Sequence, residues 1–169
     1  SIKEVESFIV DKTGWIEKKQ QAIQSKQIQP SNYVSGEQFL YLGNQYPLIH
    51  NIKQTYKLDF DGQFFSLRGD GHLAFHAWYK VAFKKVALPR LDYYADLYQL
   101  NYQKVRLKTQ KTLWGSCSGV NNINLNYLLI MAPMSVIDYV IVHELAHTRI
   151  KNHSKDFWQL VESILPKYK

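Results

Sequence analysis

The run His143-Glu144-Leu145-Ala146-His147 sets two imidazoles four residues apart, with a carboxylate directly after the first. On an α-helix this spacing puts both rings on one face, separated by about 40° of rotation and about 6 Å of rise, so they can converge on one ion. Zinc accepts such nitrogens at about 2.0–2.1 Å and in catalytic sites keeps a fourth position for water. Glu144, about 100° further round the helix, can reach that water without being a ligand. This is where a general base, and later a proton donor to the leaving group, would stand. Val136, Ile137, Val140, Ile141 and Leu145 cover most of the same helix. Burying two basic rings and a carboxyl among them is costly unless the groups are paired or hold a metal, which argues against a purely structural role.

Two histidines leave a zinc site short of a ligand. His153 lies six residues after His147; on a continued helix it would sit about 120° away and about 9 Å further along, out of reach. The chain must therefore turn. Arg149 and Lys151 suit the negative end of a helix, Asn152 can take the left-handed conformation that ends one, and Ser154 can cap a new helix carrying Phe157, Trp158, Val161, Ile164 and Leu165. Such a turn returns His153 to the metal. It favours His153 over the rival ligand Glu162, which falls among apolar positions of the second helix. The spacing of the three histidines equals that of metzincin proteases, yet Ile150 stands where metzincins have glycine. A β-branched residue does not take that positive-φ bend comfortably.

Other reactive residues have plainer readings. His72 and His76 are also four apart, but no carboxylate adjoins them and their face continues with Tyr79 and Phe83, so structural or surface histidines are favoured over a second metal pair. Cys117 has no local base and reads as a small buried strand residue. Trp114 and Tyr127 bracket the hairpin ahead of the histidine helix and read as core.

The elements that must position these residues follow from pattern. Residues 1–29 read as two short helices, with Ser1 and Glu4 as a capping box and Lys18, Lys19 and Lys26 on the polar side. After Pro30, alternating aromatic-rich segments predict strands near 37–42, 45–50, 53–60 and 63–67, with turns at Gly43-Asn44 and Asp61-Gly62. Residues 72–87 predict an amphipathic helix, separated by Pro89 from a second one ending at Tyr98. Strands are expected over 104–108, 111–117 and 123–129. The histidine helix then starts at Pro133 or Ser135, with Ser135 and Asp138 as a capping box. These spans divide into a helical pair with a β-meander over 1–68 and a catalytic domain over 69–169.

Composition sets the outer bounds. The 169 residues are 46% hydrophobic and 14% aromatic, which suits a packed core and excludes disordered or fibrous classes. A single cysteine excludes an intrachain disulfide and a thiolate zinc knuckle, so histidine, of which there are six, must carry any zinc site. No apolar run approaches the roughly 18 residues of a membrane span, and no signal peptide is present, so the chain reads as cytoplasmic; its start at Ser1 suggests trimming. A net charge of +7 is compatible with nucleic acid, an anionic ligand or simple solubility.

From Trp114-Gly115-Ser116-Cys117-Ser118, through Ile123-Asn124-Leu125-Asn126 and Ile137-Asp138-Tyr139-Val140, into His143 to His147 and Asn152-His153-Ser154 with Phe157-Trp158, the chain resembles the YgjP-like metallopeptidase family, a group of minimal zincins related to SprT-like and WLM-type enzymes. The Gly36 to Pro47 hairpin and the Trp78-Tyr79 helix are also similar, with weaker motifs. Two departures stand out: the family's further N-terminal strands are not evident before Ser1, and Leu113 replaces the arginine that commonly precedes the tryptophan. The resemblance implies an α+β zincin-like domain, with an active-site helix packed on a small antiparallel sheet. It also implies zinc held by His143, His147 and His153, with Glu144 as catalytic glutamate. Peptide hydrolysis is the expected activity, with a strand ahead of the helix holding an extended substrate. The family's association with nucleoside triphosphate hydrolysis makes a pyrophosphatase the alternative, for which Arg106, Lys108, Lys111, Arg149, Lys151 and Lys155 could supply phosphate charge. A nucleic-acid-associated module with structural zinc is the third reading.

Overall fold

The computed structural model of the chain describes residues 31–110 and 112–168, so the helical pair read over 1–29 lies outside the described residues. Val34–Tyr168 forms one unit. Its first layer is a four-stranded sheet of β1 (Gln38–Tyr41), β2 (Asn44–His50), β3 (Leu58–Phe60) and β4 (Phe65–Leu67), in the order β1-β2-β4-β3. The expected meander is not what forms, because β2 and β4 pair in parallel with β3 outside them. The strand predicted over 53–60 shrinks to three residues. Lys53 and residues 55–57 are exposed and Gln54 is only half-buried, so the first part of that stretch has no apolar face to pack and only Leu58–Phe60 joins the ladder.

The β1–β2 turn falls one residue earlier than read. Tyr41 pairs with Asn44, leaving Leu42 and Gly43 at φ values of 49° and 86°, the two-residue primed turn that matches strand twist. A Cβ on Gly43 would stand 2.8 Å from Pro133 Cγ, so the turn is seated against the entry to the histidine helix. The amides of Leu42 and Gly43 donate to the carbonyls of Ile130 and Met131 at 2.8 and 3.2 Å.

Helix α1 (Gly71–Tyr98) is capped by Asp70, whose carboxylate accepts from the Leu73 amide. It runs through Pro89 without a break, contrary to the two helices expected. Pro89 is exposed, and the buried Ala82, Phe83, Ala87, Leu91, Tyr94 and Ala95 form one face on both sides of it. Packing along that face outweighs the single hydrogen bond that proline removes.

The second sheet contains β5 (Lys104–Lys108), β6 (Gly115–Cys117) and β7 (Asn122–Asn126), in the order β5-β7-β6. It is mixed rather than antiparallel: β7 pairs antiparallel with β6 but parallel with β5. The chain leaves β5, crosses to the far side of β7 and returns by a hairpin, so β7 ends up running with β5. The last strand stops at Asn126 instead of continuing to 129, since the Asn126 side chain accepts from the Leu128 amide at 3.1 Å and turns the chain into a 3-10 helix, Tyr127–Met131.

Helix α2 (Met134–Arg149) fills the centre, with Ile137, Val140, Ile141, Val142, Leu145 and Ala146 buried. Its Ser135–Asp138 capping box does not form. Pro133 precedes the helix without a side-chain cap, and Asp138 is taken instead by a two-pronged ion pair with Arg90 of α1. Helix α3 (Lys155–Ile164) completes the unit. Among the described residues, no helix is long and apolar enough to cross a membrane.

Candidate active site

Helix α2 presents His143 and His147 on one face, and the chain then bends to bring His153 onto them. The three Nε2 atoms form a nearly equilateral triangle with sides of 3.2 Å (143–147), 3.1 Å (147–153) and 3.0 Å (143–153). Ligands about 2.0–2.1 Å from a tetrahedral zinc lie about 3.3–3.4 Å from one another, so the triangle fits that ion to within a few tenths of an ångström. Among the described residues this is the one such cluster of three metal-capable side chains. The rival Glu162 is exposed on α3 and outside it.

The bend differs from the one expected. Helix α2 ends at Ile150 in extended conformation, φ −126° and ψ 110°, and Asn152 is not left-handed. A β-branched residue prefers this geometry, so Ile150 suits the exit it occupies. Ser154 takes the N-cap position of α3 without a side-chain cap bond, while the Asn152 side chain accepts from the Ser154 amide at 3.3 Å. Lys151 Nζ donates to the Ser118 carbonyl at 3.0 Å and to Asn121 Oδ1, tying the bend to the β6–β7 turn.

The rings are fixed from behind. His147 Nδ1 lies 3.0 Å from the Ile150 carbonyl, which can only accept, so that nitrogen carries the proton and Nε2 keeps its lone pair. Phe157, fully buried, stacks on His147 at 4.5 Å and meets His143 and His153 at 5.0 and 4.9 Å. Trp158 stacks on His153 at 5.6 Å. Behind it Tyr168 lies parallel to both Trp158 and Tyr139, with centroids 6.4 and 6.1 Å away. The sequence places Phe157 and Trp158 on the apolar face of the helix after His153 and in the family motif, but gives no ring-stacking role to either. No comparable pattern marked Tyr168.

Burial, with the neighbouring charges of His147 and His153, lowers His143 to about 3, and burial also lowers His147 and His153. All three imidazoles are therefore neutral near pH 7, as a metal requires. Burial pushes the Glu144 carboxyl up to about 8. A carboxyl so raised accepts and holds a proton readily, the property needed for moving one from water to a leaving group.

Glu144 is 5% exposed and sits against β6, where a Cβ on Gly115 would be 2.5 Å from its Oε1. Cys117, two residues along the same strand, is half-buried rather than buried, with Sγ 3.9 Å from Lys151 Nζ. His76 bonds to the Tyr127 hydroxyl at 3.0 Å, and His72 packs 4.6 Å from His76 with, among the described residues, no third donor joining them into a cluster. Of the cations named for phosphate binding, Arg149 donates to the Tyr98 and Gln99 carbonyls and Lys151 is engaged as described. Lys111 lies outside the described residues.

Two solved structures are similar to part of the chain. The metallopeptidase zymogen abylysin of Pyrococcus abyssi is 26% identical over 46% of this chain and 78% of its own, with a TM-score of 0.42. The metallopeptidase zymogen jannalysin of Methanocaldococcus jannaschii is 22% identical over 48% of this chain and 79% of its own, with a TM-score of 0.41. No curated protein matches. The YgjP-like metallopeptidase domain, by contrast, matches residues 1–169 in full, and the chain belongs to that family.

Proposed function

We propose that this chain is a zinc-dependent peptidase whose metal is held by His143, His147 and His153 and whose catalytic acid–base is Glu144. The observation that carries the reading is the triangle of Nε2 atoms, 3.0–3.2 Å on a side, with a buried carboxyl on the residue after its first corner. A purely structural zinc has no use for that carboxyl. Zinc held there supplies a Lewis acid that polarises a carbonyl and acidifies water. Glu144 takes the proton of the attacking water and delivers it to the departing amine.

An extended peptide suits the neighbouring strand. The Asn126 amide donates to the Trp114 carbonyl and the Ser118 amide to the Asn122 carbonyl. Antiparallel pairs alternate between bonded and unbonded, so the N–H and C=O groups of Gly115 and Cys117 point away from β7 towards the open edge. A substrate strand pairing there would pass beside Glu144. The internal bonds of Arg149 and Lys151 remove two of the cations that a nucleotide would use, which supports peptide over nucleoside triphosphate.

The test is a parallel assay of wild type and Glu144→Gln, each zinc-loaded, on fluorescein-labelled casein and on the four nucleoside triphosphates. Casein cleavage that falls by about 10²–10⁴-fold in the variant is expected. Triphosphate hydrolysis alone, or an unaffected rate, would sink the proposal.

A further inference from the structure

Glycine at position 115 is not demanded by the backbone, because Gly115 is absent from the positive-φ glycines. Space demands it. A Cβ there would stand 2.5 Å from Glu144 Oε1, 2.7 Å from Cγ and 2.8 Å from Cδ, under the 3.0 Å that real Cβ atoms essentially never breach. The seam between β6 and α2 is not otherwise closed to side chains, since Cys117 occupies the same row of β6 half-buried. Only where the strand meets the Glu144 carboxyl has it no side chain.

We infer that Gly115 is a positioning residue for the reaction. It lets the β6 backbone close directly on Glu144, so that the carboxyl is held beside the same strand edge that an extended substrate would pair with. The inference rests on Glu144 being the catalytic acid–base. The three imidazoles are backed by Phe157 of α3, and His147 also by the Ile150 carbonyl, so a methyl at 115 is expected to displace the carboxyl and leave the metal ligands in place.

Gly115→Ala is therefore expected to keep zinc affinity, measured by competition with a chromophoric chelator, within about threefold of wild type, while kcat on labelled casein falls roughly 100-fold and KM changes far less. In a Glu144→Gln background the same substitution should cost almost nothing further, since the group it moves no longer works. A kcat within about threefold of wild type would overturn the inference, as would a full additional loss in the Glu144→Gln background. Stability supplies a second arm should the alanine variant fold poorly: Gly115→Ala should lower the urea midpoint in the wild type and leave it unchanged in Glu144→Ala, where the colliding side chain is gone. An equal loss in both backgrounds would overturn it too. If Glu144→Gln itself is fully active, the acid–base assignment fails, which is a separate result from any of these.

Discussion

His147 Nδ1 lies 3.0 Å from the carbonyl oxygen of Ile150, the residue at which helix α2 ends. The helix exit and the ring orientation are thus one feature: the extended Ile150 turns its carbonyl to a nitrogen that must then carry the proton. Loosening the exit should loosen the ligand. Ile150→Gly is expected to weaken zinc binding about tenfold, the size of effect that partners of metal-binding histidines show, and Ile150→Val to leave it unchanged. Chelator competition on the two variants checks this; equal affinities would show that the ring is fixed by other means.

The Arg90–Asp138 pair joins α1 to α2 asymmetrically, with side-chain exposures of 39% and 13%. Arg90 can turn to water when its partner is removed, whereas Asp138 would be left buried and unpaired. Arg90→Ala should therefore destabilise more than Asp138→Ala, by about 2 kcal/mol for the former, a fall in Tm of roughly 4–8 °C. Calorimetry giving the reverse order would show that the carboxylate finds another partner.

Tyr168 is 7% exposed between Tyr139 and Trp158. Truncation to alanine removes a large buried ring and should cost about 3 kcal/mol in urea unfolding. Because Trp158 stacks on His153, zinc affinity should fall as well, and a Tyr168→Ala protein of wild-type stability would show that the C-terminal segment is not part of the core.

Zinc binding to the folded triad alone should stabilise the protein by mass action, by about 2.7 kcal/mol at a free concentration one hundred times Kd. Chelation should lower Tm and abolish casein cleavage, with both restored by added zinc. The same titration on His153→Ala should move Tm far less. An unchanged response in that variant would remove His153 from the ligand set.

The sequence alone was enough to locate the candidate site. The spacing of His143 and His147, the carboxylate between them and the need for a turn before His153 follow from helix geometry, which is local and depends on no distant contact. The buried character of α2 and the start of α3 at Ser154 were legible for the same reason. What the spacing could not supply was the manner of the turn, because an extended Ile150 or a left-handed Asn152 could each redirect the chain so that His153 returns to the helix face. The choice between them rests on Lys151 reaching Ser118 and on His147 reaching the Ile150 carbonyl.

Tertiary structure decided everything that depends on which surfaces meet. Pro89 looked like a helix break until the buried face of α1 on both sides of it outweighed one lost hydrogen bond. Asp138 looked like a cap until Arg90, 48 residues earlier, claimed it. The pairing of β5 with β7 and of β2 with β4 depends on where connections cross, and strand patterns carry no record of that. Gly115 is the sharpest case: in sequence it is a glycine in a strand, and only the approach of α2 to β6 shows that the missing side chain is the space in which the Glu144 carboxyl sits.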